Sequence, residues 1–219
     1  MCKNRIFFAC LGYLLPFSVA TTSFAEDSIY LGVDIGMMDV SATALDAKPP
    51  LATLSFGKFI TPYVALEFNI GFGIDMDEAY QESFFFAQDP VLGTVTEIYA
   101  IEAKLKNVFT LAVRGEYPIA ENLNLTGSVG YSQLKMSLQE SDKLSGGGEE
   151  LDLCGQFVQC FDYGDSGGGV SYSLGAFFNI TSSSMIHIEY VKYPDIKLDQ
   201  LGDLELSSSA LMFGYQKRM

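Results

Sequence analysis

His187-Ile188-Glu189 sets the only histidine of the chain two residues from a carboxylate. On a β-strand such residues share one face, about 7 Å apart, and a general base with an orienting acid has this form. The nucleophile is missing. Folding this segment back over the tight connection at 181–184 sets Asn179, not a serine, beside His187. Strand parity turns His187 inward, so an interior polar contact is the preferred reading.

A second constellation is larger. Asp34, Glu67, Glu102, Lys104, Lys106, Arg114, Glu116, His187 and Glu189 fall on inward faces of successive strands. Opposite charges in a confined interior must pair, because an isolated charge there is costly. The structural reading is a network that plugs the interior, and the functional one is a narrow, gated ion path. Plugging is preferred. Cys154 and Cys160 lie close together in the longest connector and read as a disulfide. Two thiols without a nearby histidine cannot complete a zinc site. Asp75-Met76-Asp77-Glu78 lacks the defined turn of a calcium loop. The glycine triplets at 146–148 and 167–169 precede no helix, so they are not phosphate loops. No metal, cofactor or catalytic residue is assigned.

The elements that must position these groups are strands, since the dominant period is two. Val64, Leu66, Phe68, Ile70 and Phe72 alternate with Ala65, Glu67, Asn69, Gly71 and Gly73. Similar alternation gives strands around 29–36, 102–116, 123–132, 170–180, 186–190 and 204–219. A strand at about 51–60 has no clean apolar face, because Lys58 breaks either choice. The polar faces are dominated by Gly, Ser and Asn, which suits the crowded interior of a narrow barrel of about eight strands. Seven connectors alternate in length: long at 38–50, 75–97, 139–168 and 193–203, short at 61–63, 118–122 and 181–184. Membrane barrels keep tight turns on the periplasmic side and long loops outside. Tyr30, Tyr63, Tyr117, Tyr131, Tyr172, Tyr190 and Tyr215 lie near strand ends or on outward faces, as interfacial girdles require.

Residues 1–25 read as a cleaved export signal, with Lys3 and Arg5, an apolar stretch from Ile6 to Ala20, and Ser23-Phe24-Ala25 as the cleavage site. Residues 26–219 form one domain. Removing Lys3 and Arg5 from the 13 basic residues leaves 11 against 27 acidic ones, which excludes nucleic acid as a partner. Yet 48% of the chain is hydrophobic and its mean hydropathy is +0.20. The two facts agree if acid is confined to the loops. The 75–97 connector holds six acidic and no basic residues, and the 139–168 connector seven acidic residues against Lys143.

Tyr30-Leu31-Gly32-Val33-Asp34-Ile35-Gly36, Tyr63-Val64-Ala65-Leu66-Glu67-Phe68, Arg114-Gly115-Glu116-Tyr117-Pro118, Asn124 to Tyr131 and Phe213-Gly214-Tyr215 resemble the small opacity-type, outer-membrane protein A-like barrels of Gram-negative bacteria. The resemblance implies an all-β fold: an eight-stranded antiparallel transmembrane up-and-down β-barrel in the cell outer membrane. It also implies contact with outer-membrane lipid and lipopolysaccharide and handling by the outer-membrane assembly machinery. Such barrels usually end in an aromatic residue, where this chain has Met219. Lipid-modifying barrels carry histidine and serine on the lipid face, which does not match an inward His187. The resulting expectation is a monomeric, non-enzymatic barrel with a structural or adhesin-like role, its acidic loops meeting a host or extracellular ligand. A narrow ion-conducting pore and a lipid-modifying enzyme are the alternatives, and a soluble secreted β-protein is the outsider.

Overall fold

The computed structural model describes residues 28–42, 45–75, 77–89, 93–146, 149–154, 158–198 and 204–219. The expected export signal lies outside them. Twelve strands follow one another: β1 (Ile29–Ala42), β2 (Leu45–Ala47), β3 (Pro50–Thr61), β4 (Val64–Gly73), β5 (Asp77–Asp89), β6 (Gly93–Ala120), β7 (Leu123–Gly146), β8 (Glu149–Asp152), β9 (Asp162–Asn179), β10 (Ser184–Lys192), β11 (Ile196–Leu198) and β12 (Leu204–Arg218). Among the described residues no helix is long and apolar enough to cross a membrane. Strands make the crossing.

Eight of them close a ring in the order β1, β3, β4, β6, β7, β9, β10, β12, every neighbouring pair antiparallel. Closure comes from β12 against β1, in register from Tyr30↔Arg218 to Ser41↔Ser207. The turns at 62–63, 121–122 and 180–183 share one end with the start of β1 and the finish of β12. That end is periplasmic by the usual rule for such barrels. The remaining four strands sit within the segments read as long loops. β5 forms a hairpin on β6, β8 pairs with β7, and β2 and β11 add short rungs at the extracellular end. The long connectors are therefore largely extensions of the wall rather than irregular loop.

Outward faces are apolar as the alternation requires: Leu31, Val33 and Ile35 on β1, Leu66, Phe68 and Phe72 on β4, and Leu211 and Phe213 on β12 are all exposed. The ambiguous strand resolves with Leu54, Phe56 and Ile60 outward and Thr53 and Phe59 inward, which leaves Lys58 outward. Six of the seven girdle tyrosines are exposed and form two belts. Tyr63, Tyr117 and Tyr215 lie towards the turns, Tyr131, Tyr172 and Tyr190 towards the far side. Tyr30 does not join them. It is 0% exposed and stands inside the barrel, because its inward parity outweighs its place at the strand end.

The interior has two halves. Towards the extracellular end Met38, Leu51, Leu105, Leu134, Met136, Leu138, Ile196 and Leu206 form one apolar core. Each such side chain removed from water contributes roughly 1.5–3 kcal/mol. Polar and charged groups occupy the periplasmic half.

Candidate functional site

Arg114, on the inward face of β6 and 3% exposed, is the centre of the periplasmic half. Its guanidinium donates to Glu67 Oε2 at 2.7 Å, Gln216 Oε1 at 2.9 Å and Glu116 Oε1 at 2.7 Å. Tyr30 donates its hydroxyl to Glu67 Oε2 at 2.5 Å, and Asn69 donates to Glu67 Oε1 at 2.9 Å. Arg218 pairs with the other oxygen of Glu116. Two guanidinium groups thus meet two carboxylates, and the set is neutral as a whole. That balance is what lets four charges persist out of water.

Aromatic rings brace the set. The Arg114 guanidinium lies between Tyr30 at 4.3 Å and Phe177 at 4.8 Å from the ring centroids, and Arg218 stacks on Phe59 at 4.7 Å. Cation–π contacts of this kind gain strength when desolvated. On its other face Phe177 stacks parallel to His187, 4.1 Å between centroids. Register explains the stack: His187 pairs with Phe177, while Asn179 pairs with Met185. The expected neighbour of His187 was Asn179, two pairs off.

His187 Nε2 approaches Asp34 Oδ1 at 2.6 Å, and Asp34 accepts from Ser55 at 3.0 Å. Glu189, further along β10, bonds with Ser173. Hydroxyl pairs continue around the wall: Thr110 with Ser132, Ser132 with Ser171, and Ser128 with Ser173. These surround a cavity of about 30 Å³ lined by Asp34, Thr53, Ser55, Asn69, Ser128 and Glu189. A water needs roughly 10–15 Å³ by this measure, so the space suits water and little else.

Asp34, Glu67, Arg114, Glu116, His187 and Glu189 thus lie together in the interior, as the sequence pattern groups them. Glu102, Lys104 and Lys106 do not. A β-bulge falls between Leu105 and Asn107, opposite Met136 and Lys135 of β7. The extra residue reverses the alternation of β6 before it, so Ala103 and Leu105 turn in and the three charged residues turn out. Tyr30, Phe59, Phe177, Gln216 and Arg218 were missed as network members. Parity alone marked Tyr30 and Gln216 as inward. Nothing in the sequence singled out Phe177, which sits in the apolar run from Ala176 to Phe178.

Above the membrane the wall carries a smaller acidic and aromatic group. Tyr80 donates to Glu82 at 2.6 Å, and the hydroxyls of Tyr99 and Tyr163 both bond to Glu140. Burial, and then the adjacent Glu140 carboxylate, push the Tyr99 hydroxyl up to about 12. Nearby, Cys154 and Cys160 are joined as a disulfide with Cα atoms 5.3 Å apart. Among the described residues no group of three or more His, Cys, Asp or Glu is placed to hold a metal.

The model of the outer membrane protein beta-barrel domain matches residues 9–216. The chain belongs to this family. Its place is accordingly the Gram-negative outer membrane. No curated protein sequence matches it significantly. Among solved structures, family-like barrels align over most of the chain. The attachment invasion locus protein Ail of Yersinia pestis is 14% identical, covering 88% of this chain and 99% of its own, with a TM-score of 0.45. Neisserial surface protein A is 10% identical over 87% and 97%, with a TM-score of 0.49. The outer membrane protease OmpT of Escherichia coli is 10% identical over 91% and 99%, with a TM-score of 0.43.

Proposed function

We propose that the protein is a closed, non-enzymatic outer-membrane barrel that displays its acidic extracellular end for recognition of an extracellular or host ligand. One observation carries this reading: the lumen is filled twice over. Arg114 and its partners occupy the periplasmic half, and the core around Leu105, Leu134 and Met136 occupies the other. A solute path would have to open both. The histidine is equally engaged, held by Asp34 and covered by Phe177. The wall strands that outrun the barrel, β5 to β9, are then what remains to act, with Glu82, Glu140 and Asp162 among their carboxylates.

The ring closes on itself and leaves no free barrel edge, which supports a monomer. The assembly machinery would meet β12 as the closing strand.

Bacteria displaying the intact chain, tested beside bacteria whose 77–97 and 140–162 segments are replaced by short turns, give the test. Retention on cultured cells or immobilised matrix proteins should fall for the shortened form. Equal retention, with both forms in the outer membrane, would remove the recognition role. Lipid A acyl patterns that change with His187→Ala would favour an enzyme.

A further inference from the structure

The small interior cavity lies where the charged half of the lumen meets the apolar core. Glu67 of the charged set borders it, and Val108 and Met212 of the core close it on the extracellular side. The charges around it do not balance. Arg114 and Arg218 are matched by Glu67 and Glu116, and His187 is held against Asp34. Glu189 remains. It lines the cavity and bonds with Ser173, and no ion pair engages it among the described residues. A lone carboxylate out of water is costly unless a positive charge joins it.

Two oxygen atoms of the cavity wall lack partners. Thr53 is 7% exposed and lines the cavity, and its buried Oγ1 has no hydrogen-bond partner. Asn69 lines it too and donates Nδ2 to Glu67 at 2.9 Å. That bond fixes the amide and leaves its buried Oδ1, an acceptor, unpartnered. Gly71 pairs with Thr53 and keeps the approach open, since a Cβ there would stand 3.1 Å from Thr53 Oγ1. The donors are therefore hard oxygens, one anionic and the others neutral. Hard oxygen sets select hard cations over transition metals. Among the described residues no three acidic groups converge as in a site for a divalent ion. One unmatched carboxylate calls for one positive charge, and a bare sodium ion is smaller than the water that this space of about 30 Å³ suits.

We infer that the lumen binds a sodium ion between the Glu189 carboxylate, Thr53 Oγ1 and Asn69 Oδ1, which completes the charge balance of the interior. The site is independent of the recognition role of the extracellular end. Closed above and below, it takes up its ion as the barrel closes. Sodium then binds the folded barrel and not the open chain, so its concentration sets stability.

The test refolds the full chain into uncharged detergent at mildly alkaline pH over a wide range of sodium chloride, with choline chloride holding ionic strength constant. Unfolding by urea is then measured in the same salt. Once sodium exceeds its dissociation constant, each tenfold rise should increase the folded-to-unfolded ratio about tenfold. Glu189→Gln should abolish this dependence, and Thr53→Val should shift it to higher sodium. Thr53 Oγ1 has no partner in the fold, so its removal orphans no other group. Glu205→Gln, exposed at the extracellular end, should respond as the wild type does. Slower gel migration after boiling establishes that each variant is folded, and Thr53→Val decides the matter if Glu189→Gln is not. A wild-type midpoint that does not move with sodium would mean that a proton neutralises Glu189 and would overturn the site. So would an equal sodium response in folded Glu189→Gln. Stabilisation by calcium where sodium has no effect would overturn the monovalent assignment.

Discussion

Asp34 and His187 meet across a strand that belongs to neither. Asp34 is on β1 and His187 on β10, and both pair in register with Gly214 of β12, which runs between them. The 2.6 Å approach passes over Gly214, where a Cβ would collide with Asp34 Oδ1 and the imidazole ring. A side chain at 214 and this pair exclude each other.

Gly214→Ala should lower stability by about 1–3 kcal/mol, the usual cost of overpacking. Gly115→Ala is the comparison, since a Cβ there meets only the Gly127 carbonyl at 3.8 Å. Chemical unfolding of protein refolded into detergent, without assembly factors, measures both. Equal midpoints for the two variants would contradict a close approach at 214.

Arg114→Met should cost more. It leaves Glu67 without its guanidinium partner and Arg218, on Glu116, as the one cation of the set, and breaking a buried pair costs about 3–5 kcal/mol. Adding Glu67→Gln to Arg114→Met restores neutrality and should recover a large part of the loss. Additive losses in the double variant would indicate that the groups do not act as one balanced set.

In planar bilayers the wild type should be electrically silent. Arg114→Ala should remain so, because the core of Leu105, Leu134, Met136 and Ile196 still fills the outer half. Stable conductance steps from the folded wild type would point to a pore instead.

Replacing Cys154 and Cys160 together by Ser should hasten proteolysis around residues 154–160 while leaving the barrel's unfolding midpoint nearly unchanged. The two cysteines are six residues apart and belong to none of the strands of the ring, so the constraint the bridge supplies is small and local. A large drop in the midpoint would mean that the outer loop is part of the cooperative fold.

The raised Tyr99 hydroxyl sets a pH window. Below about pH 10 the tyrosine is protonated both folded and unfolded, so its contribution to stability is fully present. Between about 10 and 12 the unfolded chain loses this proton first, and that contribution declines as pH rises. Ultraviolet titration of tyrosinate should show a late-ionising group in the wild type that Tyr99→Phe removes. An unchanged titration curve would dissociate the late group from Tyr99.

The ring of eight strands was legible because alternation is strict where one side meets lipid: Leu66 and Phe68 against Ala65 and Glu67 leave one arrangement. Six members of the charged interior followed from the same parity. One inserted residue defeated it on β6. Leu105 and Phe109 have matching parity in the sequence, yet the bulge between them puts Leu105 inside and Phe109 outside. Periodicity records a repeat, not an interruption. The apolar upper core was hidden for a simpler reason: Leu134, Met136 and Leu138 continue the inward face of β7 past residue 132, where the alternation was read as ending. Arg218 was passed over because a charge at the strand's end looks like a solvated terminus, although its parity points inward.

The length of β6 has a consequence for how the cell surface is met. The dozen residues from Gly93 to Lys104 extend roughly 40 Å of strand past Leu105, and β5 and β7 are laced to both sides of them. A ribbon braced on both edges behaves as a stiff mast rather than a tether. Its tip is carried at a set height through the sugar canopy of the cell, so reach is a property of strand length. Cutting paired residues from both sides of the hairpin would lower the tip beneath that canopy while leaving its chemistry intact.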